Sequence, residues 1–406
     1  MFGIRADLAR SKGAYLFDAN RQELVLDLFS MFSALPLGYN HPIFSDGAFE
    51  REIMNAASVK VTNCEIATDV GDQFAEAFSA HPSMAPFKWF HYSCTGALAI
   101  EAAVKTAIDY KRARKPRVVT FKDSFHGING YGGLLTDRFG SVKDRLEGMP
   151  GPSWGEPLDN PVVRYRDGEA VTDAALADRV LSQIADVFRA DPENATAVLV
   201  EPIQCTAGDQ YFDLRFLQAL RTLCNDHDVP LIFDEVQTGF GSTGTMWYFE
   251  QCGLVPDIVA FGKKAQTSGI MVRERFGKIF ERPVRLEVTW DGDLLDMIRC
   301  RHVLRAYERD DILANTERQG AHIEQQLRTM PQLRNVRRAG LLIAFDFDDA
   351  AARDEYVLEL RKQQAIVNRT QAQTVRWRPH LAFSRDDADQ ALARSAHALE
   401  HTAARR

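Results

Sequence analysis

Apolar and polar positions along this chain form two kinds of segment. Short apolar runs between polar residues are typical of buried strands, and longer segments with an apolar residue every three or four positions are typical of amphipathic helices. Through the middle of the chain the two kinds alternate, which predicts crossover units and a mostly parallel sheet. The predicted strands are 117–121, 197–201, 230–233 and 258–261.

Two of the intervening segments have helical spacing. One helix is predicted over 172–189, with Thr172 as its cap, and another over 95–114, with basic residues in its last turn. The apolar stripe of the first helix consists of Leu176, Val180, Ile184 and Val187. We expect both helices to lie against a face of the sheet.

The pattern changes near residue 293, where a long polar helical region begins. Strand-like runs at 341–347 and 375–383 and a terminal helix follow, which together predict a smaller α+β domain. The first 45 residues predict a short hairpin, followed by a segment that leads into the large domain. The expected division is an N-terminal segment over 1–45, a large α/β domain over 46–292 and a small C-terminal domain over 293–406.

The composition is that of a globular protein with a large core. Of the 406 residues, 45% are hydrophobic and 26% are charged, and the length suits two or three domains. The 49 basic and 56 acidic residues give a net charge of -7, the wrong sign for a protein whose affinity depends on neutralising phosphates. Nucleic acid is therefore not an expected partner.

The six cysteines are scattered and form no C-x-x-C pair. This spacing predicts free thiols in a reducing compartment rather than disulfides or a zinc site, and we expect no metal. No stretch approaches about 18 uncharged apolar residues, the length that a membrane-spanning helix needs. We therefore expect a cytoplasmic protein without a membrane partner.

Two charged residues follow predicted strands in the segment 230–264. Asp234 comes after one apolar run, and Lys263 comes after the next, about one crossover unit later. The carboxyl ends of parallel strands meet at one sheet edge, where ligands of open α/β folds bind. An aspartate and a lysine placed together there suit pyridoxal phosphate, because the lysine amine forms a Schiff base and the carboxylate keeps the pyridine nitrogen protonated.

The glycines between these strands offer a competing interpretation. Gly239, Gly241 and Gly244 fit the G-x-G-x-x-G fingerprint of dinucleotide sites. In that fingerprint the first glycine ends the strand directly, whereas here residues 234–238 intervene, and the usual later acidic residue is missing. A short helix is predicted over 245–252. The dinucleotide interpretation is therefore disfavoured.

The segments FDEVQTGFGSTG and PDIVAFGKK resemble the class III, fold-type I pyridoxal phosphate aminotransferases, and within that family they are most similar to the lysine 6-aminotransferase branch. Other segments follow in family order: LDLFSMFSALPLGYNHP, TGALAIEAAVKTA, FKDSFHGINGY, VLVEPIQ, VTWDGDLLDMIR and TVRWRPHL. The resemblance covers nearly the whole chain. It implies a fold-type I large domain with a mostly parallel central sheet, a smaller C-terminal α+β domain and an N-terminal segment that joins them.

The resemblance also implies roles for individual residues near the cofactor ring. Lys263 is the implied Schiff-base lysine, since the family spacing selects it over its neighbour Lys264. Asp234 is the implied partner of the ring nitrogen. Phe125 would stack on the ring, with His126 beside it.

The implied phosphate contacts come from two subunits. Gly96 and Ala97 would offer backbone N–H groups, and they open a predicted helix whose N-terminus favours an anion. Thr289 would reach the same phosphate from the partner subunit, which implies a homodimer with shared active sites, and Gln237 would reach the ring hydroxyl. Taken singly, four of the implied residues also fit ordinary structural roles: Phe125 as a core residue, His126 as a satisfied polar residue, Gly96 as a cap and Thr289 as a surface hydroxyl.

An arginine near the C-terminus resembles the family's carboxylate-binding residue. Arg376 has the matching place in TVRWRPHL, and a planar group with two parallel donors suits a substrate carboxylate. Arg378, two residues along the same strand, is an alternative. A surface salt bridge is the ordinary structural role for either residue.

Three departures from the family pattern concern the substrate. Ile128 stands where the lysine branch has an arginine for a second carboxylate, and Thr206 stands where it has a glutamate that pairs with the other arginine. Asp291 and Asp293 add carboxylates near Thr289. A lost charge-assisted hydrogen bond weakens binding by about 1.5–3 kcal/mol. The expected substrates are therefore not lysine and 2-oxoglutarate, and a specialised biosynthetic pathway would fit.

The sequence is compatible with three candidate functions. The first is ping-pong amino transfer from an amine or amino acid to an acceptor such as a keto acid. The second keeps the cofactor but performs elimination, replacement, epimerisation or carbon–carbon bond formation. The third is a cofactor-free interaction protein, which the joint presence of Lys263, Asp234, Gln237 and Phe125 disfavours.

Overall fold

A six-stranded sheet lies at the centre of the structure, a computed structural model that describes residues 2–61, 66–138, 155–166 and 168–403. Ser268–Val272 runs opposite to the other five strands. The strands lie in the order Trp89–Ser93, Ser268–Val272, Ile258–Phe261, Leu231–Asp234, Ala195–Val200 and Arg117–Val119. This arrangement confirms the predicted α/β fold with a mostly parallel sheet.

Helices cover both faces of the central sheet. Alternate residues of a strand face opposite sides, so that in Leu231–Asp234 the side chain of Ile232 packs with helix Gly96–Lys111, whereas its two neighbours pack into the core on the other face. Two helices contribute to that second core, Ala174–Ala190 and Leu214–Asp226. Burial on both faces explains why the central strands are almost entirely apolar.

The cap of one helix differs from the prediction. The helix begins at Ala174, and the carboxylate of Asp173 accepts a hydrogen bond from the N–H of Leu176 at 2.9 Å. The hydroxyl of Thr172 instead accepts from Arg215 at 2.7 Å. The predicted Thr172 cap is therefore wrong by one residue, because an aspartate at the next position is an equally good capping group.

The short helix predicted over 245–252 is also mostly wrong. Only Phe249–Cys252 is helical. The buried carboxylate of Glu235 accepts from the N–H groups of Tyr248 and Phe249 at 2.7 and 2.8 Å. These bonds hold the preceding segment as a series of turns.

The C-terminal part contains a four-stranded antiparallel sheet and long helices. The run predicted over 375–383 is a strand only at Thr374–Trp377, because the N–H of Arg378 bonds to the carbonyl of Leu28 at 2.7 Å and directs the chain toward the N-terminal segment. The sheet order is Arg334–Ala339, Leu342–Asp346, Thr374–Trp377 and Asn368–Thr370. The helices are Leu294–Arg309, Ile312–Leu327, Ala350–Lys362 and Arg385–Ala403.

The N-terminal segment forms a three-stranded antiparallel sheet rather than a single hairpin. Its strands are Ala6–Lys12, Tyr15–Asp18 and Glu23–Asp27. The third strand pairs in parallel with Ala365–Ile366, which connects the first residues of the chain to its C-terminal part. The division of the chain at 45/46 and 292/293 stays a prediction.

The remaining elements connect these layers. The helices are Gly47–Ser58, Asp69–Ser79 and Gly130–Leu135, and the short strand pairs are Arg164–Arg166 with Glu169–Val171 and Ile203–Gln204 with Gln210–Tyr211. The 3-10 helices are Pro42–Ser45, Pro82–Met84, Lys263–Ala265 and Glu274–Glu281. Within the described ranges, no helix combines the length and the apolar character needed to cross a membrane.

Candidate active site

Two adjoining cavities open at the carboxyl ends of the central strands. The first, here called the sheet-edge cavity, has a volume of about 320 Å³ and is lined by residues that include Gly96, Ala97, His126 and Asp234. The second, called the arginine cavity, has a volume of about 390 Å³ and is lined by residues that include Arg138, Thr206, Arg376 and Arg378. Both share Phe125, Gln237 and Lys263.

Two acidic residues lie side by side in the sheet-edge cavity. Phe233 and Val200 are in register on neighbouring parallel strands, so the residues that follow them, Asp234 and Glu201, are adjacent. Asp234 accepts from the N–H of Val236 at 3.1 Å, and its other oxygen lies 2.9 Å from Nδ1 of the buried His126. Asp234 thus keeps a carboxylate at the sheet edge, as the sequence predicts.

Glu201 is a part of this site that the sequence analysis missed, although its motif VLVEPIQ was noted. One of its oxygens accepts from the N–H of Phe125 at 2.7 Å. Burial, together with the charge of Asp234, raises the pKa of Glu201 well above its usual value. Glu201 therefore holds its proton more tightly than an ordinary glutamate does.

The two adjacent lysines have different surroundings. Lys263 lies just beyond strand Ile258–Phe261, in a left-handed backbone conformation with φ of 49°, and its side chain lines both cavities. Burial lowers the pKa of Lys263, which increases the fraction of its amine that is neutral. The amine of Lys264 instead donates to the carbonyl and hydroxyl oxygens of Ser33 at 2.8 and 2.5 Å.

The N-terminus of helix Gly96–Lys111 forms part of the wall of the sheet-edge cavity. Thr95 caps the helix by accepting from the N–H of Leu98, and the first helical N–H groups have no partner within the helix. Gly127 has a φ of 105°, and a side chain there would meet Cβ of Ala97 at 3.3 Å. This glycine lets the turn that carries Phe125 pack closely on the helix start.

The arginine cavity contains both candidate carboxylate-binding residues. Arg378 is fully buried and forms an ion pair with Asp209. Arg376 donates from Nε and Nη2 to the side-chain carbonyl of Asn368, which faces it across the antiparallel strand, and from Nη1 to the carbonyl of Cys205. The hydrogen-bond acceptors of Arg376 among the described residues are therefore neutral, although the charge of Asp209 also acts on Arg376.

The residues that mark the departures from the family pattern also lie at the cavity walls. Ile128 lines the sheet-edge cavity with 67% of its side chain exposed, and Thr206 lines the arginine cavity. Thr206 accepts through its carbonyl from Arg138 at 3.0 Å and from the hydroxyl of Thr370 at 2.5 Å. Neither side chain carries a charge.

Thr289 is a predicted site residue that lines neither of the two cavities. It lies exposed in a turn. Of its two acidic neighbours, Asp293 caps the next helix at Leu295 and pairs with Lys60 at 3.5 Å. Asp291 accepts from the N–H of Val288 at 2.6 Å, and burial raises the pKa of Asp291 to about 6. Both carboxylates thus have local structural partners.

The aromatic wall of the arginine cavity comes from a segment that the sequence did not mark as functional. Phe29 and Phe32 line the cavity beside a left-handed turn at Ser30–Ser33, whose four residues all have positive φ values between 46° and 68°. This conformation costs roughly 1–2 kcal/mol per residue for L-amino acids. Without a glycine in the turn, the sequence gives no local signal for it.

The three glycines of the dinucleotide fingerprint serve the packing of the chain. A side chain at Gly239 would overlap the ring of Trp247 at 2.5 Å, and one at Gly241 would meet Leu381 at 2.9 Å. Gly244 has a φ of 92°. The helix that follows is a single turn, which gives no long N-terminus for a pyrophosphate.

Comparison with known proteins identifies the family. The model of the aminotransferase class-III family matches residues 3–399. The chain belongs to the class III aminotransferases. An L-lysine-epsilon aminotransferase of Mycobacterium tuberculosis is 34% identical over 410 residues, which cover 96% of this chain and 90% of that protein. A 4-aminobutyrate aminotransferase of Schizosaccharomyces pombe is 30% identical over 94% of this chain and 86% of that protein.

A solved structure supports the same assignment. The lysine aminotransferase from M. tuberculosis in the internal aldimine form superposes with a TM-score of 0.92 at 34% identity, covering 98% of this chain and 95% of that one. This class III aminotransferase is therefore a fold-type I, pyridoxal phosphate-dependent transferase, as the sequence resemblance implied.

Proposed function

We propose that this aminotransferase carries out ping-pong amino transfer with Lys263 as the lysine that bonds the coenzyme, and that its substrates are not lysine and 2-oxoglutarate. The observation that carries the first part is the convergence of Lys263, Asp234, Phe125 and Gln237 on one sheet edge. The second part rests on the uncharged side chains at the two positions that distinguish the lysine branch.

The residues of the sheet-edge cavity fit pyridoxal phosphate. Gly96 and Ala97 offer backbone N–H groups at a helix N-terminus, where a phosphate is favourable. Phe125 provides an aromatic face, and Gln237 provides a polar group for the ring hydroxyl. When bound, the coenzyme supplies an aldehyde that bonds amines and a ring that withdraws electrons.

Three side chains of this chain would manage protons in the reaction. Asp234, an acceptor that is also bonded to His126, would hold the proton on the ring nitrogen. Lys263, with its lowered pKa, would carry a proton to and from the substrate carbon as general acid and base. Glu201, whose pKa is raised by burial and by the neighbouring Asp234, would keep a proton close to this pair.

Substrate choice would depend on the arginine cavity and on the wall of the sheet-edge cavity at Ile128. Arg376 is proposed to bind a carboxylate of the substrate. Ile128 and Thr206 provide no charged contact for a second carboxylate, and at about 1.5–3 kcal/mol per charge-assisted bond this disfavours the lysine and 2-oxoglutarate pair. Such a change with an intact cofactor site suits a specialised biosynthetic pathway.

We also propose a cytoplasmic homodimer with shared active sites. Thr289, exposed in one chain, would contact the phosphate bound by the partner subunit. Its surroundings are unusually apolar for a protein surface, since Val284, Val288 and Trp290 are 83%, 47% and 46% exposed. The described cysteines are free thiols, which supports a reducing compartment. Sedimentation analysis of the holoenzyme tests the dimer.

Borohydride reduction of the holoenzyme followed by peptide mapping tests the role of Lys263. The label should lie at Lys263, and a label elsewhere would contradict the proposal. Stopped-flow measurement of each half-reaction then tests amino transfer, because a transaminase must reach the aminated coenzyme with a suitable amine. Turnover that needs no acceptor would instead favour elimination, replacement, epimerisation or carbon–carbon bond formation.

A further inference from the structure

A fully buried arginine lies behind the side chain that is expected to contact the ring hydroxyl of the coenzyme. Arg378 follows strand Thr374–Trp377, and its backbone N–H donates to the carbonyl of Leu28 at 2.7 Å. Its Nη1 donates to the carbonyls of Ile343 and Trp377 at 3.2 and 3.0 Å. These bonds hold the guanidinium group against the end of the C-terminal sheet.

The charge of Arg378 is already paired within the protein. Its Nη2 donates to the carboxylate of Asp209, which is itself fully buried. The turn that carries Asp209 is held by Arg337, whose Nε donates to the carbonyls of Gly208 and Asp209 at 3.1 and 3.2 Å. A substrate carboxylate would have to compete with this buried ion pair, so Arg378 is better suited to a positioning role than to substrate binding.

A further donor of Arg378 faces Gln237. Nε of Arg378 donates to the side-chain carbonyl of Gln237 at 3.4 Å. An arginine offers donors only, so the end of the amide that faces Arg378 must be the carbonyl, and the NH2 group is directed away from Arg378. The side chain of Gln237 lines both cavities together with Phe125 and Lys263. Within the described residues this NH2 group donates to no acceptor, which leaves it available to a bound molecule.

We propose that Arg378 is a positioning residue: it orients Gln237 so that the amide NH2 donates to the ring oxygen of the bound coenzyme and stabilises that oxygen in its ionised form. This inference rests on the proposed function, which places Gln237 beside the ring hydroxyl. A carbonyl in the same place would accept from the hydroxyl and stabilise its neutral form instead. Arg378 thus differs from the other residues of the arginine cavity, because it acts on the coenzyme through a side chain that the two cavities share.

The proton on the coenzyme linkage reports this hydrogen bond. In the holoenzyme the ring oxygen and the nitrogen that joins Lys263 to the coenzyme are adjacent and share a proton. A donor that stabilises the ionised oxygen weakens its hold on this proton, so the linkage loses the proton at a lower pH. Q237L removes the donor and should raise the pKa of the linkage by about one to two units. Titration of the visible absorption of the holoenzyme with pH measures this shift.

R378K tests whether Arg378 acts through Gln237. Lysine keeps a positive charge for Asp209, but its compact ammonium group does not reproduce the separate Nε and Nη2 donors of arginine, so the amide should lose its fixed orientation. R378K should raise the pKa of the linkage by less than Q237L does, and in a variant that also carries Q237L it should add nothing. R189K, at an exposed arginine, and Q325L, at an exposed glutamine, are the matched controls.

The direction and the additivity of these shifts decide the outcome. An unchanged or lowered pKa of the linkage in Q237L would overturn the proposal, even if R378K did not fold. An R378K enzyme that titrates as the wild type does, or an R378K shift that persists in full beside Q237L, would also overturn it. The other titratable side chains that line the two cavities are the same in every variant and cancel in the comparison with the wild type: His126, Arg138, Glu201, Asp234, Lys263 and Arg376.

Failure of this inference is distinguishable from failure of the proposed function. If borohydride labels a residue other than Lys263, the proposed function fails and this inference fails with it. If Lys263 is labelled and Q237L leaves the pKa of the linkage unchanged, only the orientation of Gln237 by Arg378 is refuted.

Discussion

The sheet-edge cavity and the arginine cavity share three side chains but are built in different ways. The first takes its polar groups from the ends of parallel strands and the start of one helix, so Asp234, Glu201 and Lys263 are positioned by the central sheet itself. The second is assembled from segments far apart in the sequence, including residues near 30, 138, 206 and 376. Residues held together by one sheet edge can change little without losing the cofactor site, whereas a wall assembled from distant segments can change one segment at a time.

This difference predicts which substitutions abolish the reaction and which only change its substrate. Side chains fixed by the sheet should affect every substrate alike, because they act on the coenzyme. Side chains of the arginine cavity should affect some substrates more than others. The following predictions test that division.

The largest effect is expected at the lysine itself. K263A should lower the rate of both half-reactions by about a thousandfold or more, because it removes both the coenzyme bond and the general acid and base. Stopped-flow absorption measures each half-reaction. K278A, at an exposed lysine, should behave as the wild type, and a K263A enzyme with a substantial rate would show that another residue moves the proton.

A smaller but still substrate-independent loss is expected at the neighbouring carboxylate. D234N keeps the shape of the side chain but removes its charge, so the half-reaction rates should fall about a hundredfold to a thousandfold for every substrate. D178N, at an exposed position on helix Ala174–Ala190, is the matched control. A loss confined to one substrate would contradict the division between the two cavities.

The sequence could predict the sheet-edge cavity because its determinants are local. An apolar run followed by Asp234, and another followed by Lys263, mark strand ends, and parallel strands bring such ends together. Glu201 has the same local signal, an apolar run that ends at a carboxylate. The cap at Asp173 was missed because two capping residues stand side by side.

Local sequence patterns do not predict how the arginine cavity is assembled. Asn368 faces Arg376 only because two strands pair in one register, and register depends on the turn between them and on the packing of the whole sheet. Arg138 reaches Thr206 from a segment 68 residues away in the chain. The left-handed turn at Ser30–Ser33 contradicts local preference and is held in place by tertiary contacts such as that of Lys264.

Asp234 and Glu235 are consecutive in the chain, but Asp234 is expected to act in the reaction and Glu235 to stabilise the fold. Glu235 is buried, and its carboxylate accepts hydrogen bonds from the backbone N–H groups of Tyr248 and Phe249 and from the hydroxyl of Thr238. E235Q replaces one acceptor oxygen by an N–H donor, which leaves a buried backbone N–H without its acceptor, and should lower the free energy of unfolding by about 1–3 kcal/mol. Its effect on half-reaction rates should be much smaller than that of D234N. E193Q, at an exposed glutamate, is the control.

The stability difference between wild type and E235Q should also depend on pH. Burial raises the pKa of Glu235 from its usual 4.5 to about 7. Between these values the unfolded chain has released the proton and the folded chain still holds it, so the folded state loses stability as the pH rises. The free energy of unfolding of the wild type should therefore exceed that of E235Q by the largest amount near pH 5, and the difference should shrink toward pH 7. Denaturant titrations at several pH values measure it, and a constant difference would contradict the assignment.

The smallest expected effect is a gain of affinity at the wall of the sheet-edge cavity. I128R restores the charge of the lysine branch at an exposed position, where solvent weakens the contact, so 2-oxoglutarate should bind about tenfold more tightly. The absorption change of the aminated holoenzyme on adding 2-oxoglutarate measures this affinity. L358R, on helix Ala350–Lys362, adds the same charge far from both cavities and should have no effect. If I128R gains nothing, the missing charge at this wall does not limit 2-oxoglutarate binding, and the discrimination against that acid lies in the arginine cavity instead.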